Sequence, residues 1–163
     1  MRQDVNIIID DREVRSGIVD HLRSIDGVST NIKHLTIGDY IVNGQLLIER
    51  KTLLDFAESI KDGRLFHQTI RLLNTPMTCL LILEGTTSQL NTSRMHRESL
   101  QGAMISLTIK FGMPILRSLS SKETAHLIVH LVWCFIQIDD YSVTLSVSPE
   151  GKPAQARILR CNA

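Results

Sequence analysis

The residues whose types and spacing could do chemistry lie together in one span, Gly38-Asp39-Tyr40-Ile41-Val42-Asn43-Gly44-Gln45-Leu46-Leu47-Ile48-Glu49-Arg50-Lys51. A lone aspartate followed by Glu-x-Lys is what a metal-dependent phosphodiesterase site requires. Carboxylates hold a divalent cation, and a lysine steadies the attacking water or the charge that develops on phosphorus. Glu49 and Lys51 are two apart, so on a strand they project from one face while Arg50 points to the other.

The element that must position them is a β-hairpin. Tyr40-Ile41-Val42 and Leu46-Leu47-Ile48 are strand-forming runs, and Asn43-Gly44 is a turn signal because both residues tolerate positive φ. Loop length decides whether the acids meet. A two-residue Asn43-Gly44 turn pairs Asp39 with Ile48 and sets it on the face opposite Glu49. A three-residue loop over 42–44 pairs Asp39 with Leu47, which makes Asp39 and Glu49 diagonal neighbours on one face, about 7–8 Å apart at the backbone. A metal site therefore predicts an odd loop or a bulge. An ordinary hairpin with solvated polar ends is the competing expectation.

Further charges gather at neighbouring strand ends. Asp10, Arg12 and Glu13 follow the apolar run Val5-Asn6-Ile7-Ile8-Ile9, and Asp55 lies just beyond Lys51. Carboxylates crowded there repel unless a cation neutralises them. Oxygen-only ligands select Mg²⁺ or Mn²⁺ over zinc. The six histidines show no ligand spacing that pairs with cysteines, which argues against a zinc site. His126 and His130 are four apart on an apolar helix, where partial exposure or interface packing is the simpler account. The sequence has no G-x-S-x-G nucleophile elbow, no cysteine in a polar setting and no P-loop.

Around the hairpin, hydrophobic periodicity predicts the order β-α-β-β-β-α-α-β-α-β-α. A buried strand at 5–9 is followed by a helix capped at Ser16 and stopped by Gly27, then a strand over 28–35 and the hairpin. Thr52 caps the next helix, which Asp62-Gly63 breaks. A helix over 64–73 carries Leu65, Thr69 and Leu72 on one side, with Gln68 and Arg71 sharing another. A strand over 78–84, a polar loop over 86–94, a helix over 97–110 and a strand over 113–119 lead to a last helix over 121–138. That helix is apolar nearly all round, so it must bury more than one face, which predicts a subunit interface. From 139 the periodicity fades. The alternation implies an α/β domain with a mixed central sheet flanked by helices.

At 163 residues the chain is long enough for one domain with a sizeable core, and 43% hydrophobic with 21% charged residues marks it as globular. No apolar run is long enough for a transmembrane helix, and the N-terminus lacks a signal-peptide pattern. Cys79 and Cys134 sit in apolar runs that suit reduced thiols, so an intracellular protein (cytoplasm or nucleoid, or nucleus) with no membrane partner is expected. A net charge of +1 means that nucleic-acid binding has to come from a local patch.

Several of these stretches recur together in a known family. Ile8-Ile9-Asp10-Asp11-Arg12-Glu13, Gly38-Asp39-Tyr40, Glu49-Arg50-Lys51-x-x-x-Asp55 and Asp62-Gly63-Arg64-Leu65-x-x-Gln68-x-x-Arg71-Leu72 resemble the XPF/Hef structure-specific endonucleases. The resemblance continues through Leu80-x-Ile82-x-Glu84-Gly85 and Phe111-Gly112-Met113-Pro114-Ile115, over roughly residues 5 to 136. It implies a restriction-endonuclease-like fold and Mg²⁺-dependent (or Mn²⁺-dependent) hydrolysis of branched DNA of fork or 3′-flap type, in repair or recombination. On this resemblance Asp10, Asp39 and Glu49 are the metal-side carboxylates, and Lys51 positions or activates the nucleophile. Arg12, Glu13 and Asp55 complete the site, and Arg64, Gln68 and Arg71 support it or hold the DNA backbone. It also implies a homodimer, or a heterodimer, through the helix at 121–138. The expected division is a nuclease domain over 1–138 and, over 139–163, a tail or the lead-in to a helix-hairpin-helix module. Some members of the family kept the fold and lost the site, so a catalytically inactive, dimerising DNA-binding scaffold is the alternative.

Overall fold

The computed structural model describes residues 4–92 and 95–139. Of the tail or lead-in expected over 139–163, residues 140–163 lie outside the described residues. Among the described residues six strands form one mixed sheet in the order β2-β1-β3-β4-β5-β6. They are β1 (Val5–Asp10), β2 (Val28–Lys33), β3 (Tyr40–Val42), β4 (Leu46–Thr52), β5 (Thr78–Glu84) and β6 (Ile115–Ser118). Only β3 runs against its neighbours; β1 pairs parallel with β2, and β4, β5 and β6 pair parallel in turn. The carboxyl ends of five strands therefore share one edge of the sheet, the position where open α/β sheets present their sites.

Among the described residues five α-helices cover the sheet: α1 (Ile18–Arg23), α2 (Leu53–Lys61), α3 (Arg64–Leu73), α4 (Arg97–Ile105) and α5 (Ser121–Asp139). Side chains alternate between the faces of β4. Leu46 and Ile48 join Ile7, Ile9, Tyr40 and Ile82 in a core under α1 and α5. Leu47 points the other way, into a core with Phe56, Leu65, Leu72, Leu81 and Leu107 from the α2, α3 and α4 side. The element order is the expected one, and a mixed sheet with helices on both faces is the expected architecture. Leu65, Thr69 and Leu72 form the buried side of α3, as their spacing requires.

The differences have local causes. Asp10 remains inside β1, fully buried, and its side chain caps a 3-10 helix over Asp11–Ser16. β2 stops at Lys33 rather than 35, because the Leu35 amide turns away to donate to Asp10 Oδ2 at 2.7 Å. The helix expected over 97–110 keeps α-geometry only to Ile105 and finishes as a π-turn over Ser106–Lys110. There the Phe111 amide reaches back to the Ser106 carbonyl at 3.1 Å. The Ser106 and Thr108 hydroxyls compete for the preceding carbonyls, an exchange that distorts helices. Part of the polar loop is a 3-10 helix over Thr87–Thr92. No helix among the described residues is long and apolar enough to cross a membrane.

Candidate active site

The hairpin loop has three residues, 43–45, because Val42 pairs with Leu46 and Tyr40 with Ile48. This is the odd loop that a metal site calls for, but it lies one position later than the expected 42–44. Asn43 (φ 48°) and Gly44 (φ 70°) both take the left-handed conformation that the turn needs. The shift changes Asp39's partner. The ladder does not extend to Asp39: its amide donates to the Ile48 carbonyl at 2.9 Å, so Asp39 lies beside the Tyr40–Ile48 pair rather than opposite Leu47, and it lines the same two depressions as Glu49. On the other side the pairing is regular: Ile8 faces Ile41, Ile9 faces Tyr40, and the Asp10 amide donates to the Asp39 carbonyl at 2.8 Å. Asp10, Asp39 and Glu49 thus form one row across three adjacent strands, on the α2/α3 side.

Gly38 explains why the aspartate can enter β3 where it does. Its φ is 70°, and a Cβ there would lie 2.5 Å from Leu47 Cδ1. Only glycine combines that conformation with that closeness, so Leu47 packs tightly beneath the entry to the site.

Two open depressions share a wall made by Arg12, Asp39 and Glu49. One extends along α3 to Gln68 and Arg71. The other extends past Glu13 and Lys51 to Asp55 and Arg64. Nine of the ten residues singled out in the sequence line one or both; the tenth, Asp10, is buried beneath them.

Asp39 Oδ2 accepts the Arg50 amide at 2.8 Å, and its Oδ1 has no such donor among the described residues. Burial is the main force on its titration, followed by the Glu49 and Glu13 charges; together they push the carboxyl up to about 8. Glu49 Oε1 lies 3.2 Å from Lys51 Nζ. Asp10 differs. Burial alone would raise its pKa, but hydrogen bonds from the Arg12 side chain, the Leu35 amide and the Arg12 amide outweigh it and hold the carboxyl below the usual range. Its oxygens are therefore already engaged. The one group of three ligating side chains whose atoms all lie within 4.8 Å among the described residues is Asp10, Asp11 and His34. Asp10, Asp39 and Glu49 form a row rather than a closed cluster.

The supporting residues have their own partners. Asp55 sits in the first turn of α2, where Thr52 Oγ1 accepts its amide at 3.1 Å and donates to its carboxylate at 2.6 Å. Glu13 accepts the buried Tyr40 hydroxyl at 2.6 Å. Arg64 reaches Asp62 at 2.7 Å, and Arg71 donates to the Thr36 carbonyl at 3.3 Å. Gln68 and Arg71 line one depression, as their spacing on α3 predicts, and Gln68 Oε1 is buried with no hydrogen-bond partner among the described residues.

Sequence reading missed what Arg50 does on the other face. Its guanidinium grips Glu84 through Nη2–Oε1 at 2.6 Å and Nε–Oε2 at 3.1 Å, and Nη1 lies 3.5 Å from Glu13. The available signal was an acid closing the apolar run of β5, one strand away from an arginine closing that of β4.

An ERCC4 domain model matches residues 9–131, most of the chain. A protein of Methanocaldococcus jannaschii named as an ATP-dependent RNA helicase is 35% identical over 130 residues, which are 80% of this chain and 16% of that protein. The 3′-flap repair endonuclease Xpf of Saccharolobus solfataricus is 30% identical over 148 residues, 91% of this chain and 63% of that one. The chain therefore spans less than two thirds of the length of these relatives. The structure of XPF from Aeropyrum pernix in complex with DNA superposes with a TM-score of 0.71 at 34% identity, covering 82% of this chain and 66% of that one. The mixed sheet and its flanking helices are thus those of the restriction-endonuclease-like XPF nuclease domains, and the chain belongs to the ERCC4-domain family.

Proposed function

We propose that the chain is the catalytic domain of a metal-dependent endonuclease that hydrolyses phosphodiester bonds in branched DNA of fork or 3′-flap type. The observation that carries this is that Asp39, Glu49 and Lys51 line one depression, with Lys51 Nζ 3.2 Å from Glu49 Oε1. The DNA in the Aeropyrum complex and the name of the Saccharolobus relative support the substrate class.

A divalent cation fits these residues. The donors are all oxygens, which suits Mg²⁺ or Mn²⁺, and Asp39 holds a proton that a cation would displace. Asp39 and Glu49 would hold the ion, with Asp10 beside them keeping the row in place. When bound, it would act as a Lewis acid on the scissile phosphate and lower the pKa of a coordinated water.

The protein's own groups do the rest. Lys51, held by Glu49, orients the attacking oxygen and stabilises negative charge on the phosphate in an in-line displacement. Gln68, on α3 in the wall of the depression that Asp39 and Glu49 also line, supports the site. Arg12, Arg64 and Arg71 offer charge to flanking phosphates, the local patch that a net charge of +1 makes necessary. Asp55 acts mainly by fixing the start of α2 behind Lys51.

The proposal extends to an intracellular protein working as a homodimer, or a heterodimer, through α5, with 1–138 as the nuclease domain. Asp39, Glu49 and Lys51 together in one depression weigh against an inactive scaffold.

The test is cleavage of labelled forked, 3′-flap and plain duplex DNA with Mg²⁺ or Mn²⁺. Metal-dependent cutting that falls more than about a hundredfold in Asp39→Ala is expected. No cutting by a folded, dimeric wild type, or equal cutting by the variant, defeats the proposal.

A further inference from the structure

The catalytic-side face of β4 is only half of its carboxyl end. On the opposite face the register brings together a second row. Arg50 pairs with Ile82 and Thr52 with Glu84 between β4 and β5, and Glu84 pairs with Ser118 on β6. Arg50, Glu84 and Ser118 therefore share the face under α5. Glu84 and Ser118 are buried there, and Thr124 of α5 is fully buried above them. Thr124 Oγ1 donates to Glu84 Oε2 at 2.6 Å and bonds Ser118 Oγ at 2.7 Å. Each Glu84 oxygen accepts from Arg50, and one of them also accepts from Thr124.

We infer that Glu84 and Thr124 are positioning residues for the metal-side end of β4, acting through Arg50. Strand ends fray unless something holds them. Glu49 and Lys51 stand on either side of Arg50 in the chain, so fixing the Arg50 side chain below the sheet fixes where its neighbours project above it. The Arg50 amide also donates to Asp39 Oδ2, so the same residue ties β4 to the acid of β3. The bidentate fork makes the grip directional, because a guanidinium meeting both carboxylate oxygens has little freedom to swing. Thr124 extends it to α5, so the seating of that helix and the geometry of the carboxylate row are mechanically joined. Neither Glu84 nor Thr124 lines the two depressions around Asp39, so their effect is indirect.

The first test needs no metal. Amide hydrogen exchange of the full chain is compared for wild type, Glu84→Gln, Thr124→Val and Thr124→Ser. Exchange over 49–52 is expected to speed up by about tenfold or more in Glu84→Gln and Thr124→Val. Segments in β1 and α3 keep wild-type protection, and Thr124→Ser restores it because the hydroxyl is what matters. Uniform acceleration of every segment, or no change at 49–52, overturns the inference by reducing the pair to an ordinary core contact. Should Glu84→Gln fail to fold, the Thr124→Val and Thr124→Ser pair decides alone.

The second readout rests on the metal-site reading. Mn²⁺ binding is followed by calorimetry, and Glu84→Gln and Thr124→Val are expected to weaken it about tenfold or more, in the range of losses when groups behind metal ligands are removed. Unchanged Mn²⁺ affinity in both variants overturns the inference. A wild type that binds no Mn²⁺ defeats the metal-site reading and leaves the exchange result to decide the positioning role.

Discussion

Asp39 is buried against two other acids and has one backbone donor, so it is costly to ionise. The sign of its effect on stability follows from linkage. A carboxyl raised from 3.8 to about 8 keeps its proton in the folded state while the unfolded chain has lost it, so stability falls as pH rises from about 4 to about 8. Replacing Asp39 by Asn removes that dependence. In metal-free buffer Asp39→Asn should gain on the wild type by up to about 1.4 kcal/mol per pH unit over that interval, read by urea unfolding at pH 5, 6, 7 and 8. Parallel profiles for the two proteins would show that Asp39 ionises freely. Asp10 and Glu84 act in the opposite sense. For both, burial raises the pKa, but hydrogen bonds more than compensate, so their stabilisation is present above the ordinary carboxylate range and is lost as pH falls through their lowered folded values.

At the scale of the elements, the hairpin and α2 hold the site, and each offers a direct test. Gly38→Ala forces a Cβ against Leu47 Cδ1 at a φ of 70°, and should destabilise the fold by about 1–3 kcal/mol in chemical denaturation. A cost near zero would mean that Leu47 gives way freely. Thr52→Ala removes the cap that holds Asp55 and should cost about 1 kcal/mol. Cleavage should persist at temperatures where the variant stays folded; a loss as deep as that of Asp39→Ala would give the Thr52–Asp55 pair a chemical role. Element order was legible in the sequence because apolar periodicity and caps such as Thr52 are local signals. The hairpin could be narrowed only to an odd or an even loop, since Asn43-Gly44 starts either and the choice is made by pairing with β1, where the Asn43 amide donates to Asn6. Asp10 capping its own 3-10 turn, and the Arg50–Glu84 grip, depend on Leu35 and on the β4–β5 register, which are contacts between distant parts of the chain. Spacing gave Gln68 and Arg71 a common face; the partnerless oxygen of Gln68 emerges only when α3 is packed against the sheet.

For the molecule as a whole, the sheet separates two cores, and the acidic row lies where the α2/α3 core opens at the carboxyl edge. In the metal-free protein Asp39 costs stability above pH 4, because beside Glu49 and Glu13 it keeps a proton that the unfolded chain has released. A bound cation reverses this. It binds the folded state, raises the unfolding free energy by RT ln(1 + [L]/Kd), about 2.7 kcal/mol at a hundredfold excess over Kd, and competes with the Asp39 proton. Affinity should therefore climb by up to about tenfold per pH unit between pH 6 and 8 and level off above the pKa of about 8. A melting series with fixed Mn²⁺ checks this: the metal-induced rise in Tm should be larger at pH 8 than at pH 6, and small at both in Asp39→Asn. If the rise is equal at the two pH values, or survives intact in Asp39→Asn, the cation sits elsewhere. The Asp10, Asp11 and His34 group would then be the place to look, because its ligating atoms lie within 4.8 Å of one another without Asp39.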